Sequence, residues 1–382
     1  MRVDYNLPLD EEWKVTDHTR ISITLKTLNY ILNKNGKLVL IAHLGRPENR
    51  EKELRMNVVA DRLSKLLGKH VKKLDGCTED FVQEEVKKMK PGDIVILENV
   101  RFYPEEKEKD GFKREGFAKK LANLGDVYVN EAFAASHRNH ASITGIPKFI
   151  PGCCGLSFIR EVNMINSIVQ NPEKPYIAII GGTKGDKMLA IENLIPKVDK
   201  ILMGGVLGNT FLKAKGFEIG NSKYDETLVN EAKKLLKRGG GKIVLPVDAM
   251  VENEMEAEPF PIEEITKDMK IMDIGPETIV RYKDILRNAE TVIWAGPLGK
   301  FEKKPYEKGT LYMASFISGL YAKTLVGGGD SIAAMQKLNM MERMTHISTG
   351  GGAFVDFITK EKFPGMEALK DSYKRYGDLL KK

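Results

Sequence analysis

The chain has 382 residues, 42% hydrophobic and 30% charged, which at ~150 residues per domain reads as two cored domains and excludes a disordered chain, a collagen-like repeat and a small stapled scaffold. No stretch approaches the ~18 apolar residues of a membrane span, and the start Met1-Arg2-Val3-Asp4 lacks an apolar leader. With Cys77, Cys153 and Cys154 forming no C-x-x-C pair, a soluble cytoplasmic protein in a reducing compartment is expected.

Arg2 and Asp4 open the first predicted strand. A helix is expected from Thr16 or Asp17, with Ile21, Leu25, Leu28 and Leu32 on its apolar face and a stop at Asn35-Gly36. Apolar runs follow at 38–41, 94–97, 127–129, 176–180, 201–203, 243–245, 291–294, 324–326 and 346–347. A second helix covers 58–67 and stops at Gly68. The charged run 104–120 reads as a solvated loop leading into a surface helix. Continuous apolar runs without alternation are strands buried on both faces, so the fold class is α/β, with mostly parallel sheets flanked by helices in two Rossmann-like lobes.

The boundary falls between Pro147 and Pro175, where residues 158–165 form a helix able to bridge the lobes. The expected division is 1–155, a bridging helix and hinge at 156–172, a second domain at 173–360, and a C-terminal segment at 361–382 that can return to the first domain.

Ligands of open parallel sheets bind beyond the carboxyl ends of the strands. In the first half those ends carry Arg2, Asp4 and Asn6, then Arg20, His43 and Arg46, then Arg101, then His137 and Arg138. Any one of these arginines alone reads as an ordinary surface residue. Five arginines and two histidines at one sheet edge instead require an anion, which the guanidinium fork grips bidentately.

In the second half the same positions carry glycines: Gly181-Gly182, Gly204-Gly205, Gly296-Pro297, Gly327-Gly328-Gly329 and Gly350-Gly351-Gly352. Such clusters make tight turns, and they also let main-chain N–H groups line a phosphate or admit a flat base. Gly239-Gly240-Gly241 precedes a strand and reads as a plain turn. Neither G-x-x-x-x-G-K-[ST] nor G-x-G-x-x-G occurs. Lys184 and Lys187 are candidate mobile charges beside a phosphate chain, and Asp330 is either an Mg²⁺ ligand or a helix N-cap. His137-Arg138-Asn139-His140 lacks a third metal ligand, and Cys153-Cys154 reads as packing. An anion lobe and a nucleotide lobe describe two-substrate phosphoryl transfer. Nucleic-acid binding rests only on the net charge of +7, without an aromatic-interleaved basic stripe.

The chain resembles the phosphoglycerate kinase family over essentially its whole length. The resemblance is carried by Arg-Val-Asp-Tyr-Asn-Leu-Pro at 2–8, Thr-Asp-His-Thr-Arg at 16–20, His-Leu-Gly-Arg-Pro at 43–47 and Glu-Asn-Val-Arg-Phe at 98–102. Further carriers are His-Arg-Asn-His-Ala-Ser at 137–142, Asp-Ile-Gly-Pro-Glu-Thr at 273–278, Gly-Gly-Gly-Asp-Ser at 327–331 and Ser-Thr-Gly-Gly-Gly at 348–352.

It implies reversible, Mg²⁺-dependent transfer between ATP with 3-phosphoglycerate and ADP with 1,3-bisphosphoglycerate, by a glycolytic and gluconeogenic kinase expected to act as a monomer with lobe closure and no nucleic-acid or membrane partner. Asp4, Asn6, Arg20, His43, Arg46, Arg101 and Arg138 would bind the phosphoglycerate, supported by Arg2. Arg20, Lys184 and Lys187 would stabilise the transferring group. Gly182, Lys187, Gly205, Pro297, Glu302, Gly328, Gly329, Asp330, Ser331, Gly351 and Gly352 would bind nucleotide, Glu302 at the ribose hydroxyls and Asp330 at the Mg²⁺.

Four departures from the family pattern stand out. Trp294-Ala295-Gly296-Pro297 replaces Trp-Asn-Gly-Pro, the lysine loop is one residue shorter, Asn130-Glu131-Ala132-Phe133-Ala134 replaces Asn-Asp-Ala-Phe-Gly, and the sequence starts inside the first strand. Ala295 and the short loop keep open an alternative, a catalytically impaired relative that binds nucleotide or phosphoglycerate.

Overall fold

The computed structural model describes residues 1–183, 187–252, 257–359 and 362–379. It divides into two compact units, Met1–Asn163 with Lys362–Lys382, and Met164–Glu361.

The first unit carries strands β1 (Arg2–Val3), β2 (Leu38–Leu40), β3 (Lys72–Lys73), β4 (Ile94–Ile96), β5 (Tyr128–Glu131) and β6 (Gly152–Cys154). Two parallel three-stranded ladders, β3-β4-β2 and β1-β5-β6, meet at a bridge between Arg2 and Ile41. Val3 N donates to Ile41 O and Ile41 N to Met1 O, giving the order β3-β4-β2-β1-β5-β6. Its helices are α1 (Thr19–Ser22), α2 (Leu25–Asn33), α3 (Asn57–Leu67), α4 (Asp80–Lys87), α5 (Gly111–Ala122) and the start of α6 (Leu156–Val169). One apolar cluster gathers Leu28, Val59, Leu63 and Ile96, and a second gathers Val82, Leu97, Phe117 and Tyr128.

The second unit continues from α6 with β7 (Tyr176–Ile180), α7 (Lys187–Leu194), β8 (Lys200–Met203), α8 (Gly205–Lys215), α9 (Val229–Gly239) and β9 (Ile243–Val244). Then come β10 (Asp248–Glu252), β11 (Ala257–Pro261), β12 (Lys270–Ile274), α10 (Pro276–Leu286), β13 (Thr291–Ala295), α11 (Lys308–Ser318), β14 (Lys323–Gly327), α12 (Gly329–Lys337), β15 (His346–Ser348) and α13 (Gly352–Thr359). Its parallel sheet runs β15-β14-β13-β7-β8-β9, so the strand order reverses between β7 and β13. Both of those strands are buried at every residue, the pattern of a sheet covered on both faces. The last helix, α14 (Pro364–Tyr376), belongs to the first unit. Ser372 Oγ accepts from Gly152 N at 2.9 Å, and Phe363 stacks on Phe133 at 5.2 Å.

Two sequence expectations need correction. The helix predicted from Thr16 or Asp17 to Asn35 starts at Thr19 and is broken at Ile23-Thr24. Buried Thr24 turns its hydroxyl back to Ile21 O at 2.8 Å and meets Tyr5 Oη at 2.7 Å, competing with the helical ladder. The run 104–120 is not simply a solvated loop and surface helix: Glu106 is 1% exposed, and Phe117, Ala118 and Leu121 are core. A three-stranded antiparallel sheet, β11-β10-β12, also adds to the parallel ones, although none of its strands gave a continuous apolar run.

Candidate active site

At the carboxyl edge of the first unit's sheet, cations crowd one another. Arg2 is 1% exposed in β1, its Nε donating to Ser142 Oγ and its Nη2 to His43 Nδ1, each at 2.9 Å. His43 must therefore offer a lone pair, and burial with Arg2, Arg101 and Arg20 nearby holds it well below the usual imidazole range. Arg101 donates to Gly45 O at 2.6 Å and is lowered to about 10 by burial, then by Arg138 and Arg2. His140 is pushed down to about 3 by burial and by Arg2, Arg138, Arg101 and Lys107. Lys107 is lowered by burial and by Arg101, Arg138 and Arg46.

The polar members of the set are tied into the same edge. Arg20, from α1, donates to the Asp4 carboxylate, and Asn6 Oδ1 accepts from Gly45 N at 2.7 Å. Arg46 and Arg138 are exposed, and Arg138 Nε donates to His137 Nε2 at 3.0 Å. All seven first-half candidates thus follow from strand ends or the first helix, and electrostatic coupling links five of them (His43, Arg20, Arg46, Arg101 and Arg138) to one cationic group.

Sequence reasoning missed Glu106, whose buried carboxylate accepts from Ser142 N at 2.9 Å and Ser142 Oγ at 2.6 Å. Burial raises it against the pull of Arg2. Its short 3-10 turn, Pro104–Glu106, leaves no periodicity to read. Lys107 follows directly on that turn and gives no signal either, whereas His140 reads from the sequence only as part of a His-x-x-His spacing without a third metal ligand.

In the second unit, the switch point between β7 and β13 holds two clefts of about 520 and 130 Å³, which share Gly182, Thr183, Pro297 and Asp330. Gly205 and Glu302 line the larger one, while Lys187, Gly328, Gly329, Gly351, Gly352 and Asp356 line the smaller. The starts of α7, α12 and α13 all face the smaller cleft, presenting helix N-termini suited to phosphate. At Gly329, Gly351 and Gly352 a Cβ would meet only open space.

Lys187 is positioned rather than free to roam. Its Nζ donates to the carbonyls of Gly181 and Ala295, at the ends of β7 and β13. Gly182 N bonds Pro297 O at 2.8 Å and Gly205 N bonds Leu298 O at 2.7 Å, so these two glycines fasten the wall with their N–H groups. Gly205 has φ of 62°, and a Cβ there would lie 2.7 Å from Gly182 N, so only glycine allows this approach. Ser331 is fully buried, its Oγ accepting from Gly296 N at 2.9 Å. Asp330 is exposed in the first turn of α12, whose N-cap is Gly328. Lys184 lies outside the described residues.

Among the described residues no group of three His, Cys, Asp or Glu side chains could hold a metal. A lone exposed carboxylate fits an ion that takes its other ligands from nucleotide phosphates and water.

Two doubly wound units, one with an anion-seeking cationic edge and the other with a glycine-lined switch-point cleft, define a two-substrate kinase. The phosphoglycerate kinase family model matches residues 1–361, and the chain belongs to that family. It is 43% identical over 380 residues to the phosphoglycerate kinase of Dictyoglomus turgidum and 41% identical over 380 residues to that of Pelotomaculum thermopropionicum, covering 97% of this chain and 95% of each relative. Among solved structures, the phosphoglycerate kinase of Pyrococcus horikoshii superposes with a TM-score of 0.87 at 32% identity, covering 98% of this chain and 96% of that one. That of Coxiella burnetii gives 0.82 at 34% identity, covering 97% and 95%. Among the described residues no helix is long and apolar enough to cross a membrane.

Proposed function

We propose that the chain catalyses the reversible transfer of a phosphoryl group between ATP and 3-phosphoglycerate, giving ADP and 1,3-bisphosphoglycerate. The observation that carries this reading is the gathering of cationic side chains at the first unit's edge. There Arg2 donates to His43 Nδ1 at 2.9 Å, burial and then Arg138 and Arg2 lower Arg101, and burial and then Arg2, Arg138 and Arg101 lower His140. An anion bound at this edge would offset the repulsion among them. Asp4, Asn6, Arg20, His43, Arg46, Arg101 and Arg138 would hold phosphoglycerate. Lys187 and the glycine backbone at 328–329 and 351–352 would hold the phosphates, with Pro297 and Glu302 along the nucleoside.

A carboxylate oxygen of phosphoglycerate forms the new P–O bond as the bond to the β-phosphate oxygen breaks. The acceptor is already ionised at neutral pH, so no general base is required. Arg20 and Lys187 would spread the charge of the moving phosphoryl group, which is where binding energy lowers the barrier. Mg²⁺ carried with the nucleotide, held by Asp330, would supply charge neutralisation at the phosphates. Direct transfer requires the two ligands to meet with water excluded, hence lobe closure.

The test is a coupled assay of ATP formation from 1,3-bisphosphoglycerate and ADP, run on wild type and Arg20→Ala. Turnover that falls at least ~100-fold in the variant is expected. No turnover from folded wild type that still binds ADP would overturn the reading in favour of a binding protein.

A further inference from the structure

The motif Asp-Ile-Gly-Pro-Glu-Thr at 273–278 has no role in the chemistry above, yet its first residue is a carboxylate 2% exposed against the larger nucleotide cleft. Asp273 Oδ2 accepts from Gly309 N, at the start of α11, at 2.7 Å, and Oδ1 accepts from Ile274 N at 2.9 Å. Both oxygens are thus committed to main-chain donors. Burial pushes the carboxyl up to about 7 against those two bonds.

On its other side Asp273 packs against Gly299, where an added Cβ would lie 2.1 Å from Oδ1. Gly299 sits within the segment 296–302, which supplies Pro297, Leu298 and Glu302 to the cleft. The rest of that segment is pinned from the same elements. Leu298 N donates to buried Thr310 Oγ1 at 3.0 Å, and Lys300 N to Met272 O at 2.7 Å. The antiparallel sheet and the α11 start therefore grip one loop from two directions, with Asp273 where they meet.

We propose that Asp273, with Thr310, is a positioning residue for the nucleotide, clamping the 296–302 wall between β12 and the start of α11 so that the cleft is formed before nucleotide arrives. A preformed wall spares the cost of ordering a loop on binding, so its loss appears in nucleotide affinity. This rests on the nucleotide-side reading given under Proposed function.

In Asp273→Asn the side chain keeps its shape, but one of its two acceptor positions becomes an NH₂ facing Gly309 N–H or Ile274 N–H. The expected result is a KM for ADP raised about tenfold or more, with kcat within about threefold and KM for 1,3-bisphosphoglycerate within about twofold of wild type. Calorimetric ADP titration gives the same loss without turnover. Should Asp273→Asn not fold, Thr310→Val is expected to raise the nucleotide KM while Thr310→Ser, which keeps the hydroxyl, restores it. A wild-type nucleotide KM in folded Asp273→Asn, or in folded Thr310→Val where Asp273→Asn does not fold, overturns the proposal. So does a change in the phosphoglycerate KM equal to that for nucleotide. Absence of turnover in wild type would instead strike the functional reading itself.

Discussion

The ammonium of Lys187 donates to the carbonyl oxygen of Ala295 at 3.0 Å, a bond to the main chain that no side chain at 295 supplies. Replacing the family's asparagine with alanine therefore leaves this anchor intact. Ala295→Asn is expected to leave kcat within about threefold, whereas Lys187→Ala should lower it by ~100-fold or more. Steady-state kinetics in the ATP-forming direction checks both.

Acid should weaken the fold through the basic edge. His140, 12% exposed, titrates at about 3 in the native protein, against ~6.5 when unfolded. Between those values the unfolded chain binds the proton and the native one does not, so stability falls as pH drops through this window and recovers above it. The slope is at most ~1.4 kcal/mol per pH unit for this group. Urea unfolding at pH 7, 6 and 5 should show that decline, and His140→Asn should make it shallower, with buried His43 contributing to what remains.

Divalent anions should do the opposite. Sulfate at the edge would offset the repulsion around Arg101 and stabilise the native state by about 1.4 kcal/mol at ten times its dissociation constant. Thermal unfolding in sodium sulfate should therefore exceed that in sodium chloride at equal ionic strength. In Arg101→Ala the increment should shrink.

Glu131 makes a stability prediction away from the ligands. Its buried carboxylate accepts from the Thr27 hydroxyl, from Ser157 N at 3.0 Å and from Phe158 N at 3.1 Å, satisfying the start of α6. Glu131→Ala leaves those donors uncapped and should cost about 2 kcal/mol. Glu131→Asp, one methylene short, should recover only part of that loss. Denaturant unfolding measures both.

Most strand positions and ligand edges were legible because parallel strands buried on both faces are apolar throughout and end abruptly. The run at 176–180 and the glycines after it marked a strand end fit for a ligand in this way, whereas the reversal of strand order beside it emerges only from the fold. The edge strands β3 and β6, Lys72–Lys73 and Gly152–Cys154, carry no such run. The antiparallel strands were not legible: β11, Ala257–Pro261, has two prolines and is mostly exposed, so neither composition nor periodicity marks it. Nor could spacing show that Ser331 would turn to Gly296, or that Glu106 would be drawn into the core by Ser142. Those contacts depend on which loops the fold brings together.

The helix α14 closes against β6 after the chain has passed through the whole second unit. The first unit is therefore discontinuous, while the second is one unbroken stretch. Nascent domains ordinarily mature in the order in which they are synthesised, but here Gly152 N and Phe133 wait for Ser372 and Phe363. The unit whose strands come first along the chain is the last to be completed, and a chain truncated after residue 361 would keep every element of the second unit while leaving the first without α14.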